Sequence, residues 1–161
     1  MTALAEHELK ARMPNPVMIV PGAFQALQSL KAATDKCGVP ATTFALIELR
    51  ASQINSCSVC LDGHFRAAKR MGETDERLAT VAAWRHAPYF TDAERATLAL
   101  TEALTRLSDR PDAVPDAIWE EIAQHYDEKA LAAIVLAIAH INVWNRVNVA
   151  VGQVSGEWKG E

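Results

Sequence analysis

Residues 57–64 read CSVCLDGH, with two cysteines three positions apart and a histidine four positions after the second. If this stretch is helical, steps of three and four place Cys57, Cys60 and His64 on one face. Two thiols that can close a disulfide then lie beside a base that can deprotonate one of them. This arrangement is typical of a thiol-disulfide enzyme or a cysteine-dependent peroxidase.

Segments on both sides of the motif show helical periodicity. The motif helix is expected to cover residues 57–71 and to stop at Gly72, and Thr74 is the expected N-cap of a short helix that follows. The sequence TDAE at 91–94 is a capping box, and apolar residues recur behind it as far as Leu107. The other predicted helices cover 25–36 and 42–53, begin at Pro115, and run from Asp127 to Gly152.

Signals for β-strands are few. The β-branched residues between Pro16 and Pro21 are bounded by prolines, so we expect an extended lead-in there. A chain of 161 residues can bury a core without disulfide staples. We predict an all-α protein with a single domain over residues 1–161, folded as a compact bundle of six or seven helices.

The composition is that of a soluble globular domain, with 50% apolar and 22% charged residues. A net charge of −4 without a basic patch argues against nucleic acid as a partner. The N-terminus lacks the apolar core of a signal peptide, and the longest apolar run, residues 130–139, is shorter than the ~20 residues of a membrane span. An odd count of three cysteines suits a reducing compartment, so we expect a cytoplasmic protein.

The two motif cysteines need help to react, because a free thiol has a pKa of about 8.5 and is mostly protonated at neutral pH. The N–H groups of a first helical turn, the second thiol and His64 would each favour the thiolate. We therefore expect Cys60 to be the attacking thiolate, His64 its base and Cys57 the resolving thiol. Spacing alone leaves the reverse assignment of the two cysteines open.

Two reactions are open to such a pair. The thiolate can attack a peroxide O–O bond and give a sulfenic acid, which the second cysteine converts to a disulfide. Alternatively, it can attack the disulfide of a partner protein and form a mixed disulfide. In both cases an external dithiol must reduce the enzyme again.

Zinc binding is the structural alternative for the cysteine pair. Structural zinc takes four ligands, commonly from two paired knuckles, and this chain has one CxxC. Cys37, His86 or His140 would have to be recruited, and none of them lies in a second knuckle. Redox chemistry is therefore favoured. Cys37 is expected to be a small buried hydrophobe, and His140 a satisfied interior histidine.

Segments before and after the motif point to a family. The run LRASQIN at 49–55 leads into it, and residues 81–90, 94–105 and 141–146 follow in order. Together they resemble the core of the alkylhydroperoxidase D (AhpD)-like family, within the carboxymuconolactone decarboxylase-like superfamily, over about 21–151. The decarboxylase branch lacks the CxxC pair, so lactone decarboxylation is not expected.

The resemblance implies an all-helical homo-oligomer, as a dimer, trimer or hexamer. It implies a cysteine-dependent peroxidase or a disulfide reductase that serves a peroxiredoxin, with no tightly bound cofactor and with recycling by a lipoyl-type dithiol. Carried over to this chain, Cys60 is the peroxidatic residue, Cys57 the resolving residue and His64 the base.

One position departs from the family pattern. The family usually has a glutamate twelve residues before the first cysteine, as part of a proton relay, and this chain has Ala45 there. Glu48 lies nearly one helical turn later. It either takes over the role of the missing carboxylate or is an ordinary surface carboxylate, and the sequence leaves both readings open.

Polar residues of the last helix form a further pattern. Asn142, Asn145 and Asn148 recur at helical spacing, which suits an oligomer seam or an interhelical hydrogen-bond network. Asn55 and Gln53 are expected to cap the helix break before the cysteines, and the alternative is that they position the cysteine loop or hydrogen-bond substrate.

The leading hypothesis is a thiol-dependent reductase of small alkyl hydroperoxides. The first alternative is a thiol-disulfide oxidoreductase that acts on a protein partner without peroxidase activity. The second is a non-enzymatic module in which the CxxC binds a metal or only packs.

Overall fold

The computed structural model describes residues 9–109 and 111–156, and in these ranges the secondary structure is entirely helical. The predicted all-α fold is therefore confirmed. The helices are α1 (Pro16–Ile19), α2 (Ala23–Thr34), α3 (Ala41–Ile54), α4 (Ser58–Arg70), α5 (Asp75–Thr80), α6 (Asp92–Thr105), α7 (Asp116–Ala123) and α8 (Glu128–Val151). Short 3-10 segments cover Val81–His86 and Leu107–Asp109.

The first of these helices corrects the expectation of an extended lead-in between Pro16 and Pro21. The side chain of Asn15 accepts a hydrogen bond from the Val17 backbone N–H and caps a single helical turn. Pro16 lies in the first turn, where its fixed φ is suited to a helix and its missing N–H costs nothing.

Helix ends lie where the capping residues predicted them. Thr91 and Glu94 form both hydrogen bonds of the capping box at the start of α6. The side chain of Thr74 accepts from Arg77 at the start of α5, and Asp127 caps α8. α8 ends at Gly152, whose φ of 66° is in the left-handed region that favours glycine.

Helix α3 is at the centre of the fold and packs against α4, α6 and α8. One apolar cluster joins α3 to α6, α7 and α8 and includes Ile47, Leu100 and Ile138. A second cluster joins the other side of α3 to α4, α5 and the 3-10 segment and includes Leu46 and Val81. The C-terminus of α3 is thereby held firmly, and the cysteine motif begins directly after it.

Helix α8 is the longest element, and its predicted stripe of Leu131, Ile134, Ile138 and Ile141 is buried. By length and composition alone α8 could cross a membrane. However, half of the most apolar stretch of α8 is buried inside the fold, and the core helices of soluble proteins can be equally long and apolar. The length and composition of α8 are therefore only weak evidence that it spans a membrane.

Candidate active site

The turn between α3 and α4 positions the cysteine pair. Ser56 has a φ of 54°, and it lets the chain reverse directly after the C-cap Asn55. The N–H of Ser56 donates to the Gln53 carbonyl and the N–H of Cys57 to the Ser52 carbonyl, which is the hydrogen-bond pattern of a Schellman motif. This turn makes Cys57 the N-cap of α4 and puts Cys60 in its first turn.

A disulfide joins Cys57 to Cys60, with their Cα atoms 5.3 Å apart. The two residues are 1% and 3% exposed and form a small apolar cluster with Val59. Because the pair lies at the N-terminus of a helix, unpaired N–H groups and the helix dipole favour negative charge on its sulfurs. The predicted neighbourhood of the two cysteines is therefore present in the fold.

His64 lies one helical turn after Cys60 on α4, and it pairs with a carboxylate of α3. Its Nδ1 is 3.1 Å from Oε2 of Glu48, and both side chains are largely buried. A carboxylate at Nδ1 holds the proton of neutral imidazole on that nitrogen, which makes Nε2 the basic nitrogen. Glu48 is thus placed against His64, although the family position is occupied by the buried Ala45.

The charge of Glu48 is maintained by its neighbours. Burial acts to raise the pKa of Glu48, but the hydrogen bond with His64 and the positive charges of His64 and Lys31 outweigh it, so that this pKa is lowered. The Lys31 Nζ is 3.9 Å from the Glu48 carboxylate. An ionised carboxylate in this position orients the imidazole.

His140 is an interior histidine with partners, as predicted. Its Nε2 accepts a hydrogen bond of 3.2 Å from the Trp144 indole, and it bonds to the backbone of Leu27. Burial lowers the pKa of His140, although the charge of Glu48 opposes this effect. With hydrogen bonds to the Trp144 indole and the Leu27 backbone, His140 is a satisfied interior histidine.

The asparagines of α8 form an interhelical hydrogen-bond network. This confirms the second of the two interpretations that their spacing allowed. The Asn55 amide donates to the side-chain oxygens of both Asn142 and Asn145, at 2.9 Å each. Asn145 in turn donates to the Ser52 hydroxyl at 3.0 Å. These bonds tie the turn before the cysteines to α8, so Asn55 does more than cap α3.

Asn148, the third asparagine, contacts the disulfide itself. Its Nδ2 donates to Sγ of Cys60 at 3.3 Å, and its Oδ1 accepts from Nδ2 of Asn15 at 2.7 Å. Sequence reasoning missed this contact. The spacing of the asparagines indicated a polar face, but only the packing of α8 against α4 shows which residue reaches the sulfur.

A cavity of about 350 Å³ opens beside the cysteine pair. Its wall includes Cys57, Ser58 and Asn148, and its rim carries the basic side chains of Lys10 and Arg12. Arg12 is fixed there because its N–H and guanidinium donate to the carbonyls of the last turn of α8. Within the part of the chain that the structure describes, the cavity wall includes Cys57 and does not include Cys60.

The ranges 9–109 and 111–156 contain no group of three or more His, Cys, Asp or Glu side chains that could hold a metal ion. Cys37 is half-buried, and its thiol donates to the Ala33 carbonyl at 3.4 Å within its own segment of chain. His86 is exposed. The metal-binding alternative therefore gains no support from these residues.

Comparisons with known proteins place this helical fold and its cysteine motif in a family. Residues 21–103 match the carboxymuconolactone decarboxylase family. The uncharacterized protein YdfG of Bacillus subtilis (strain 168) is 34% identical over 134 residues, which cover 83% of this chain and 90% of YdfG. The chain therefore belongs to the carboxymuconolactone decarboxylase family.

Solved structures place it more closely among the AhpD-like members. ATU0492 of Agrobacterium tumefaciens, a protein of unknown function with a proposed role in antioxidant defence as AhpD, superposes with a TM-score of 0.84 at 30% identity, over 92% of this chain and all of that one. The debrominase Bmp8 has a TM-score of 0.75 at 22% identity, over 85% of this chain and 73% of its own. The second likeness is one of fold alone.

Proposed function

We propose that this protein is a thiol-dependent alkyl hydroperoxide reductase. The observation that carries the proposal is the Cys57–Cys60 disulfide at the N-terminus of α4, one helical turn from a His64–Glu48 pair. A sulfur pair that opens and closes needs a site that favours thiolate and a base that moves protons, and both lie on this helix end.

The oxidative half of the cycle begins at Cys60. Its thiolate attacks the peroxide O–O bond and becomes a sulfenic acid, while the alkoxide leaves and takes a proton from protonated His64. The Cys57 thiol then attacks the sulfenic sulfur, which closes the disulfide and releases water. Glu48 keeps the imidazole oriented while His64 gives up its proton.

The reductive half requires an external dithiol, for which a lipoyl-type group or a dithiol protein is the proposed donor. Its thiolate attacks Cys57, which borders the cavity. The Cys57–Cys60 bond breaks, a mixed disulfide forms on Cys57, and Cys60 leaves as thiolate. The second thiol of the donor resolves the mixed disulfide, so the two electrons come from the dithiol.

Consumption of an organic hydroperoxide with dihydrolipoamide as donor tests the proposal. We expect Cys60→Ser to abolish turnover, and Cys57→Ser to accumulate a sulfenic acid that dimedone traps. Cys37→Ser is the matched control and should retain full activity, because Cys37 lies outside the site. Wild-type activity in Cys60→Ser would refute the assigned role.

Disulfide exchange with a protein is the second candidate, because the cavity gives access to the same disulfide. In a Cys60→Ser variant the Cys57 thiolate can attack a partner's disulfide, which forms a mixed disulfide while one partner sulfur leaves as thiolate, and no second thiol remains to release the partner. If the protein acts by exchange alone, this variant should retain a cellular partner as a mixed disulfide while the wild type consumes no hydroperoxide. Rapid peroxide turnover without such a complex would favour the peroxidase.

A homo-oligomer in the cytoplasm is the proposed state. Leu136 and Val143 lie seven positions apart on α8 and are 45% and 42% exposed, with the exposed alanines 132 and 139 on the same side. An uncovered apolar stripe of this kind suits a second copy of the chain. Light scattering should give a multiple of the chain mass, and Leu136→Lys should reduce it; a monomeric wild type would contradict the proposal.

A further inference from the structure

The contact between Asn148 and Cys60 is shielded from water, because the two residues are 8% and 3% exposed. The Asn148 Nδ2 is 3.3 Å from the Cys60 Sγ, which is hydrogen-bond distance for sulfur. An amide N–H is a donor only, so it offers the sulfur a hydrogen and nothing that could accept a thiol proton.

A chain of hydrogen bonds fixes which end of the Asn148 amide faces the sulfur. The backbone N–H of Val17 donates to Oδ1 of Asn15 at 3.0 Å, which leaves the Asn15 NH₂ group to point at Asn148. That group donates to Oδ1 of Asn148 at 2.7 Å. The oxygen of Asn148 is therefore engaged, and only its NH₂ group can face Cys60. A backbone donor, whose direction cannot reverse, sets the polarity of the whole chain.

We propose that Asn148 is a catalytic residue that stabilises Cys60 as a thiolate each time the disulfide opens, and that Asn15 is the positioning residue that keeps the Asn148 amide turned toward the sulfur. This inference deepens the proposed function and rests on it for the redox cycle. It also assigns different duties to the two cysteines, which their spacing left open.

The role follows from the electron balance of the reductive step. The donor thiolate forms a bond to the Cys57 sulfur, the Cys57–Cys60 bond breaks, and its electron pair goes to Cys60. A disulfide opens faster when the leaving sulfur carries its charge more easily. The Asn148 N–H points at the atom on which that charge appears, as donors do at other developing anions. Hydrogen bonds to a charged acceptor are stronger than those to a neutral one, so the amide favours thiolate over thiol.

The test measures the thiolate directly and needs no peroxide turnover. In a Cys37→Ser/Cys57→Ser background, Cys60 is the remaining thiol, and its alkylation by iodoacetamide is followed against pH by mass spectrometry. Asn148→Ala should move the midpoint of Cys60 alkylation upward by about one to two pH units. Asn148→Asp keeps the side-chain volume and presents a carboxylate oxygen to the sulfur, so it should raise the midpoint at least as far.

The positioning role of Asn15 has its own variant. Asn15→Asp still accepts from the Val17 N–H, but it faces Asn148 with an oxygen and forces the Asn148 amide to turn over. The amide oxygen then faces Cys60, so the midpoint of Cys60 should rise although Asn148 is intact. Lys129→Ala, at an exposed position of the same helix, is the control and should leave the midpoint in place.

A background of Cys37→Ser/Cys60→Ser separates a direct effect from general damage. In it Asn148→Ala should leave the alkylation midpoint of Cys57 unchanged, because the hydrogen bond goes to Cys60. An unshifted Cys60 midpoint, or equal shifts at both cysteines, would overturn the inference. Shifted Cys60 midpoints in a protein that consumes no hydroperoxide would instead refute the peroxidase and uphold the role of Asn148.

Discussion

Opening the Cys57–Cys60 disulfide should cost the fold little. The two cysteines are three positions apart, so the bond closes a loop of four residues. In the chain-entropy account the stabilisation grows with the logarithm of loop length and is about 3 kcal/mol for a loop of ~15 residues. The same expression gives about 2 kcal/mol for this loop. For a chain of this length, that loss lowers the melting temperature by about 4–8 °C.

The packing of the molecule supports so small an effect. Cys57 and Cys60 cluster with Val59 alone, whereas the two large apolar clusters are built around α3 and do not include the cysteines. We expect both redox states to unfold cooperatively. Thermal unfolding followed by circular dichroism, with and without a phosphine reductant, measures the difference, and the Cys57→Ser/Cys60→Ser double variant should not respond to the reductant.

A much larger loss would refute this reasoning. If reduction lowered the melting temperature by more than about 15 °C, or abolished the cooperative transition, the disulfide would be a structural staple. A bond that the fold needs cannot open once per turnover, so this result would also count against the proposed redox cycle.

Three further predictions concern single side chains. Folding lowers the pKa of Glu48, so at acidic pH the unfolded state binds more protons at this residue than the folded state does. The stabilisation that the ionised Glu48 gives to the fold is therefore present above about pH 4.3, and it is lost as the pH falls through the pKa of Glu48 in the folded state. The difference in urea stability between wild type and Glu48→Gln should therefore shrink between about pH 7 and about pH 3, and a constant difference would contradict it. In the wild type the buried Arg50 guanidinium lies 2.7 Å from the Glu102 carboxylate, and Glu102→Ala removes this charged partner. The substitution should lower the free energy of unfolding in urea by about 3–5 kcal/mol, and a loss below about 1 kcal/mol would argue against a buried pair. Ser56→Gly relieves the left-handed φ of 54° and should raise the same free energy by about 0.5–1 kcal/mol, whereas a loss would show that the serine side chain stabilises the turn.

Local signals predicted the helices well, because each cap depends on a few neighbouring residues. The capping box of Thr91 and Glu94 and the stop at Gly152 needed no knowledge of the rest of the chain. Where a helix is short, the same reasoning failed. The turn at Pro16–Ile19 depends on one side-chain cap from Asn15, and two flanking prolines suggested an extended segment.

Helical periodicity also extended two predicted apolar stripes beyond the residues that the fold buries. Leu107 continues the spacing of the α6 stripe, but α6 ends at Thr105 and Leu107 is 55% exposed. Met71 continues the α4 stripe and is 48% exposed as the C-cap of that helix. Periodicity shows which side a residue would take inside a helix, and it does not show where the neighbouring element stops covering that side.

The candidate site divides in the same way. The disulfide pair and His64 share one helix, so spacing alone placed them on one face. Glu48 lies on α3, and its meeting with His64 depends on how α3 and α4 pack, which the sequence left open. The contact of Asn148 with Cys60 joins residues 88 positions apart, so local sequence patterns could not predict it.

The burial of the sulfurs has a consequence for the proposed redox cycle. With exposures of 1% and 3%, the two sulfurs present little area to solvent, and Cys57 is approached through the cavity that it borders. If the pair cycles as proposed, a dithiol that fits this cavity reduces it faster than thiols that do not enter, so its oxidation state can stay out of equilibrium with the thiols that surround it.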